Sequence, residues 1–237
     1  MDQPEDDAPS WVKRVSVGPD RLNGWIDRFR QTHGTTTWTV RPDEVLLSAA
    51  DGAHARLVNP WSPMDPQASP GAAIAHLTRD RRVGIILGRK GAHAVGIAAG
   101  TEVVTSKVDT SYVQGKTKAG GWSQQRYARR RGNQADKAID DTIERCLTRL
   151  LPEVDTLEAV VCGGDASFIG AVLADPRLAR LAALRSGHPV LPVPDPRLVV
   201  LKDAVVALRA VVIDLDEAAV FDPKKAPGAD LRGRGGQ

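Results

Sequence analysis

The chain has few of the features that mark a secreted, membrane-spanning or metal-dependent protein. Of its 237 residues only Cys146 and Cys162 are cysteines, and His33, His54, His76, His93 and His188 are scattered without metal-ligand spacing. That pattern excludes a zinc site and fits a reducing cytoplasm. No apolar run approaches the ~20 residues of a membrane span. The start, Met1-Asp2-Gln3-Pro4-Glu5-Asp6-Asp7, is acidic, which a secretory signal is not. Net charge is only +3, too small for a protein that coats polyanions in general. A hydrophobic content of 42% and a charged content of 26% are ordinary for a globular chain of this length, which can bury a good core.

One stretch lacks acid altogether. Residues 114–132 carry Lys116, Lys118, Arg126, Arg129, Arg130 and Arg131 with no carboxylate among them. Gly115, Gly120, Gly121 and Gly132 loosen its backbone. Ser123, Gln124 and Gln125 put neutral polar groups at its centre, beside the rings of Trp122 and Tyr127. The rest of the chain is slightly acidic, so positive charge is focused here, as suits a nucleic-acid end rather than a hydrophobic ligand. A solvated basic loop would explain the charge too; the flanking glycines and enclosed aromatics favour the functional reading.

The periodicities predict a mixed α/β chain. Residues 1–13 read as a disordered N-terminus. A short strand at Val15–Val17 precedes a helix from Pro19 to about Thr32, closed by His33-Gly34, with Leu22, Trp25, Ile26 and Phe29 on one face. Strands at 35–40, 45–49 and 53–58 follow, and Asp51-Gly52 is a hairpin signal. Pro60, Pro63, Pro66 and Pro70 argue against regular structure over 59–71, with Trp61 an anchor inside a linker. Together 14–75 form a small N-terminal helix-plus-strands layer. Three strands in a meander are expected at 83–88, 92–99 and 102–113, the last feeding the basic loop. Asn133 is a plausible N-cap for a helix from Gln134 to Leu151. A strand at 157–162, helices at 166–174 and 177–184, a strand at 190–193 and a final helix at 197–213 complete a domain over 76–219. Residues 220–237 read as a disordered tail, and the terminal Gly235-Gly236-Gln237 has nothing to hold it in place.

The run from Lys118 through Gly120, Gly121, Trp122, Ser123, Gln124 and Gln125 to Arg126, then Arg129 to Asn133, resembles the catalytic loop of the Vms-type release-factor-like domain. In eukaryotes that domain frees nascent chains from tRNA on stalled large ribosomal subunits, and its actinobacterial members are known as peptidyl-tRNA hydrolases. The element that carries the resemblance is Gly-x-x-Gln, here Gly121-Trp122-Ser123-Gln124, followed by arginines and a helix. It plays the part of the Gly-Gly-Gln loop of release factors, from which it departs by the inserted Trp122-Ser123. The resemblance implies an RNase H-like, release-factor middle-domain-like mixed sheet with helices, a catalytic loop at 114–132, and a cytoplasmic place in ribosome quality control. It implies hydrolysis of peptidyl-tRNA on the large ribosomal subunit and contact with ribosomal RNA, with no cofactor, metal or membrane.

In that reading Gln124 orients the attacking water, Gly120 and Gly121 let the backbone approach the ester, and Ser123 stands beside them. Lys116, Lys118, Arg126, Arg129, Arg130 and Arg131 hold phosphates, with Trp122 and Gln125 as further RNA contacts. Gln125 remains a rival for the catalytic amide. Two other classes stay open. Asp109, Asp140, Asp141 and Asp165 suggest a metal-dependent nuclease of RNase H type acting on the tRNA 3′ end, and the basic stretch alone would serve a ribosome- or RNA-binding protein without catalysis. Gly163-Gly164-Asp165 reads as a tight turn with an Asp N-cap, or as a phosphate site.

Overall fold

A computed structural model describes residues 9–61, 63–89, 92–110 and 122–220, and of residues 110 and 122–135 the backbone alone. In chain order the elements are β1 (Lys13–Val17), α1 (Pro19–His33), β2 (Thr36–Val40), β3 (Glu44–Ala49), β4 (His54–Val58) and α2 (Pro70–Thr78). Then come β5 (Arg82–Arg89), β6 (Ala92–Ala99), β7 (Glu102–Thr110), α3 (Trp122–Arg149), a 3-10 turn at Leu151–Thr156 and β8 (Ala159–Gly164). The last are α4 (Ala166–Leu173), a 3-10 turn at Pro176–Leu178, α5 (Ala179–Ala183), α6 (Leu198–Arg209), β9 (Val211–Leu215) and α7 (Glu217–Val220). The fold is mixed α/β with two sheets, and the chain divides into two compact units, residues 1–78 with 210–237, and residues 79–209.

The first unit is built on an antiparallel sheet in the order β1-β9-β4-β3-β2. Leu22, Ile26, Phe29 and His33 are the buried residues of α1, spaced as one helical stripe over the core of Val45, Leu47, Ala55, Leu57 and Ile213. Pro19 opens α1 at its first turn, and the Gly34 N–H closes it on the Arg30 carbonyl at 2.9 Å.

Several expectations fail in this unit. Residues 211–213 do not continue a helix. The β-branched Val211, Val212 and Ile213 form β9, which slots between β1 and β4 with Ile213 opposite both Val15 and Leu57. Residues 210–219, expected inside the 76–219 domain, therefore belong to the first unit. Pro70 starts α2 rather than preventing structure, with Ser69 Oγ accepting from Ala72 N–H at 3.3 Å, and the boundary expected at 75 falls inside that helix. The proline-rich stretch before it is anchored: Met64 is buried and its N–H donates to the Pro42 carbonyl at 3.0 Å. Residues 11–13 are likewise engaged, since the Val12 N–H bonds the Leu215 carbonyl at 2.8 Å.

The second unit has the sheet order β7-β6-β5-β8, an antiparallel meander extended by β8 parallel to β5. The meander and its parallel fourth strand follow the expected pattern. The expected strand at 190–193 is reduced to one parallel bridge, Gly163 to Leu191, because Pro189, Pro192 and Pro194 have no N–H to give a ladder. One face of the sheet, with Ile86, Val95 and Ile97, packs under Ala138, Ile143, Cys146 and Leu150 of α3 and Phe168 of α4. Gly88 matters to that packing, since a Cβ there would overlap the Phe168 ring. Gly164 has φ +105° and presses on the Gly88 carbonyl, a position that no other residue fits.

Candidate functional site

The predicted site straddles the start of α3. Lys116, Lys118, Gly120 and Gly121 lie outside the described residues. Trp122, Ser123, Gln124, Gln125, Arg126, Arg129, Arg130 and Arg131 belong to the helix backbone. The sequence predicts a loop as far as Gly132, with Asn133 as N-cap; instead the helix begins at Trp122 and runs 28 residues through both. The physical reason is propensity. Gln, Arg and Ala fill the stretch, and one interior Gly costs only about 1 kcal/mol against them.

This shift changes what the segment offers. Gln124 sits in the first turn of α3, where the leading amide N–H groups have no intrahelical acceptor and carry partial positive charge. No acidic residue stands in that turn to occupy them. Helical spacing also puts positions 126, 129 and 130 on one face. Trp122 is 23 residues before Arg145, about 35 Å of helix at 1.5 Å per residue.

Where α3 is packed on the sheet, Arg145 reaches the end of β7. Asp109, the next-to-last residue of β7, accepts from Arg145 Nε at 2.8 Å and lies 3.6 Å from Lys107 Nζ. Opposite it in register on β6 is His93, 3% exposed, its Nε2 3.4 Å from Asp109 Oδ2 but without hydrogen-bond alignment. Burial pushes the His93 pKa below the ordinary value despite the opposing pull of Asp109 and Asp141. Asp109 is held below the usual carboxylate range: its partial burial works the other way, and the Arg145 hydrogen bond and the Arg145 and Lys107 charges outweigh it. Thr142, fully buried, returns its hydroxyl to the Ala138 carbonyl at 2.6 Å. The sequence does not announce this cluster. Its one signal is the odd-numbered alternation of His93, Val95 and Ile97 and of Lys107 and Asp109, which places them on the α3 face once the strands are in register.

Of the carboxylates of the nuclease alternative, Asp109 and Asp141 both bear on His93, whereas Asp165 lies at the other side of the sheet. Asp109 and Gly164 share one row across the sheet through His93 and Gly88, three strand spacings or about 14 Å apart. Asp165 caps α4, its Oδ1 accepting from Ser167 N–H at 2.9 Å and Phe168 N–H at 3.2 Å, so Gly163-Gly164-Asp165 is a capped turn. Asp140 is exposed. Among the described residues no group of three or more His, Cys, Asp or Glu is placed to hold a metal ion. Cys146 and Cys162 are buried thiols pushed up to about 12 and about 11 by burial, which removes them as nucleophiles at neutral pH. Beside the capped turn, Arg89, Pro192 and Val193 line a shallow cleft, and Arg89 Nη1 donates to the Val193 carbonyl at 3.1 Å. Among the described residues no helix is long and apolar enough to cross a membrane. The terminal Gly235-Gly236-Gln237 lies outside the described residues.

A family model for the Actinobacteria/chloroflexi VLRF1 release factor matches residues 81–214, more than half of the chain. The match covers nearly all of the second unit and ends within β9. No curated protein sequence matches. Among solved structures the chain is similar to the crystal structure of the archaeal translation termination factor aRF1, at 16% identity and a TM-score of 0.42, covering 82% of this chain and 63% of that one. A second similar structure, of an archaeal protein, has 15% identity and a TM-score of 0.39 over 84% of this chain and 68% of that one.

Proposed function

The chain belongs to the Actinobacteria/chloroflexi VLRF1 release-factor family, and from that premise we propose that it hydrolyses peptidyl-tRNA on the large ribosomal subunit, freeing stalled nascent chains. One observation carries the reading: Gly121-Trp122-Ser123-Gln124 coincides with the start of a 28-residue helix whose first turn lacks acid and whose next turns bring Arg126, Arg129, Arg130 and Arg131. The family assignment speaks for contact with ribosome and tRNA in general; the large subunit, the ester bond and the residues are our reading.

The substrate is an ester between a peptide and the 3′-terminal ribose of tRNA. A water adds to the ester carbonyl, the bond to the ribose oxygen breaks, and the water's proton ends on that oxygen. The carboxamide of Gln124 both accepts from and donates to a water, which orients it without acting as a strong base. Leading amide N–H groups of α3 supply donors where negative charge grows on the carbonyl oxygen. Gly120 and Gly121 leave room for the ester next to the backbone, and Ser123 adds a hydroxyl beside Gln124. Lys116, Lys118, Arg126, Arg129, Arg130 and Arg131 neutralise phosphates of the acceptor end or of ribosomal RNA, with Trp122 and Gln125 as further contacts. The meander extended by a parallel strand supports an RNase H-like layer of the release-factor middle-domain type.

The test is incubation of purified 50S–peptidyl-tRNA with the protein. Free peptide with full-length tRNA is the expected product, and tRNA shortened at its 3′ end would replace ester hydrolysis by nuclease action. Gln124→Ala should lower the single-turnover rate about 10²–10³-fold while binding persists, and Gln125→Ala should fall much less. Release at the wild-type rate by Gln124→Ala sinks the mechanism.

A further inference from the structure

We propose that Asp109, Arg145 and His93 form a positioning anchor that fixes α3 against the end of β7 and so aims the start of α3 at the substrate. The inference rests on the function proposed above and extends it to residues that touch no substrate.

The geometry is that of a foot and a lever. Asp109 is one residue short of the end of β7, and its carboxylate is bonded to Arg145 on α3 at 2.8 Å. The chain that leaves β7 therefore departs beside position 145, while α3 itself begins at Trp122, about 35 Å away along the helix axis. The described apolar packing of α3 starts only at Ala138 and runs through Ile143, Cys146 and Leu150. Apolar contacts hold the helix down but allow it to slide or tilt; a charge-assisted hydrogen bond has a preferred direction. A tilt of about 5° at the foot moves a point about 35 Å distant by about 3 Å, whereas about 1 Å of misplacement is enough to cost a reaction about 10²-fold. Direction at the foot thus governs position at the tip.

His93 gives the anchor its seat. The ring is buried under α3, faces the Asp109 carboxylate, and has no aligned hydrogen-bond partner at Nε2 among the described residues. The groups around it are Asp109 and Lys107 on β7 and Asp141 and Arg145 on α3. A buried imidazole so placed is costly as packing alone, and an apolar residue would fill that place at less cost. Next to an ion pair it serves as a polar wall that keeps the carboxylate turned toward Arg145.

Full-length wild type, Asp109→Asn, Arg145→Met and the charge-conserving Arg145→Lys are compared by three measurements. Deuterium exchange should quicken in peptides covering residues 122–135 of Asp109→Asn and Arg145→Met, with the strands at 83–99 unchanged. Single-turnover release at saturating protein should fall at least about tenfold in both, binding to 50S–peptidyl-tRNA should stay within about twofold because no phosphate contact is removed, and Arg145→Lys should regain most of the rate. Exchange over 122–135 that matches wild type overturns the anchor. So does faster exchange throughout 83–99, which would make the cluster a part of general stability. If wild type itself releases no peptide, the proposed function fails, and the exchange measurement alone still decides the anchor.

Discussion

Replacing Asp214 probes how the N-terminal sheet is held together. Asp214 on β9 is 2% exposed and bridges both neighbouring strands. It accepts from Arg14 of β1 at 2.6 and 3.0 Å and from Arg56 of β4 at 3.2 and 2.6 Å. Arg56 also lies 4.8 Å from the Trp11 ring centroid. Removing one partner of a buried ion pair costs about 3–5 kcal/mol. Here the cations keep access to water, with side chains 63% and 29% exposed, so the lower end applies. Asp214→Ala should lose about 3 kcal/mol at pH 7, and Asp214→Asn about 2 kcal/mol because the amide still accepts one hydrogen bond. The pH dependence has a definite sign. Arg14, ahead of the opposing effect of burial and with Arg56 adding to it, holds the Asp214 pKa below the usual range. Its stabilisation is therefore complete above the unfolded value of about 3.9 and fades as pH falls through the lower folded value. Urea unfolding followed by tryptophan fluorescence suits the purpose, since Trp11, Trp25, Trp38 and Trp61, four of the five tryptophans, lie in the unit that contains Asp214. The gap between wild type and Asp214→Asn should be open at pH 7 and narrower near pH 2. A gap below about 0.5 kcal/mol at pH 7, or one of equal size at both pH values, refutes the reasoning.

Two further outcomes are expected. Changing Arg129, Arg130 and Arg131 to Ala should weaken co-sedimentation with ribosomal subunits and flatten the plot of log affinity against log salt by about 0.7–0.9 for each phosphate the protein no longer neutralises; an unchanged slope removes these arginines from the RNA interface. His188, whose Nε2 bonds the Leu208 carbonyl at 3.1 Å, is pushed down to about 4 by burial. The unfolded chain takes up that proton first, so the second unit should lose roughly 2–3 kcal/mol between pH 6.5 and pH 4. Amide exchange of its strands at pH 7 and pH 4.5 checks this, and an equal response from His188→Gln would assign the loss to other groups.

How much is legible in the sequence depends on whether the deciding contact is local. The stripe of Leu22, Ile26 and Phe29 and the β-rich runs of the meander name their own elements, because periodicity alone separates their faces. Pro70 does not, since proline reads as a breaker unless the preceding Ser69 is seen as a cap. Residues 211–213 read as helix because their partners, Val15 and Leu57, lie more than 150 residues upstream, beyond the reach of any local pattern. At the site the acid-free run is plain from charge, while Gly132-Asn133 looks like a helix boundary and hides the true start at Trp122. His93 and Asp109 become neighbours only through strand register, which the sequence leaves open.

The insertion of β9 between β1 and β4 has a consequence for how the protein is made. Synthesis runs from the N-terminus, so β1 to β4 leave the ribosome long before Val211–Leu215 exists. Until then the place between β1 and β4 is vacant, and β1, whose ladder is made with β9, has nothing to pair with among the strands already built. Folding of residues 79–209 shortens the wait. It brings the two crossing points of the chain together, where Arg209 Nη2 donates to Asp80 Oδ1 at 2.6 Å. Closing the slot then costs the entropy of a short connection instead of a loop of more than a hundred residues. Lesions in the core of the second unit should therefore appear as exposed β1 and β4 edges and aggregation of newly made chains.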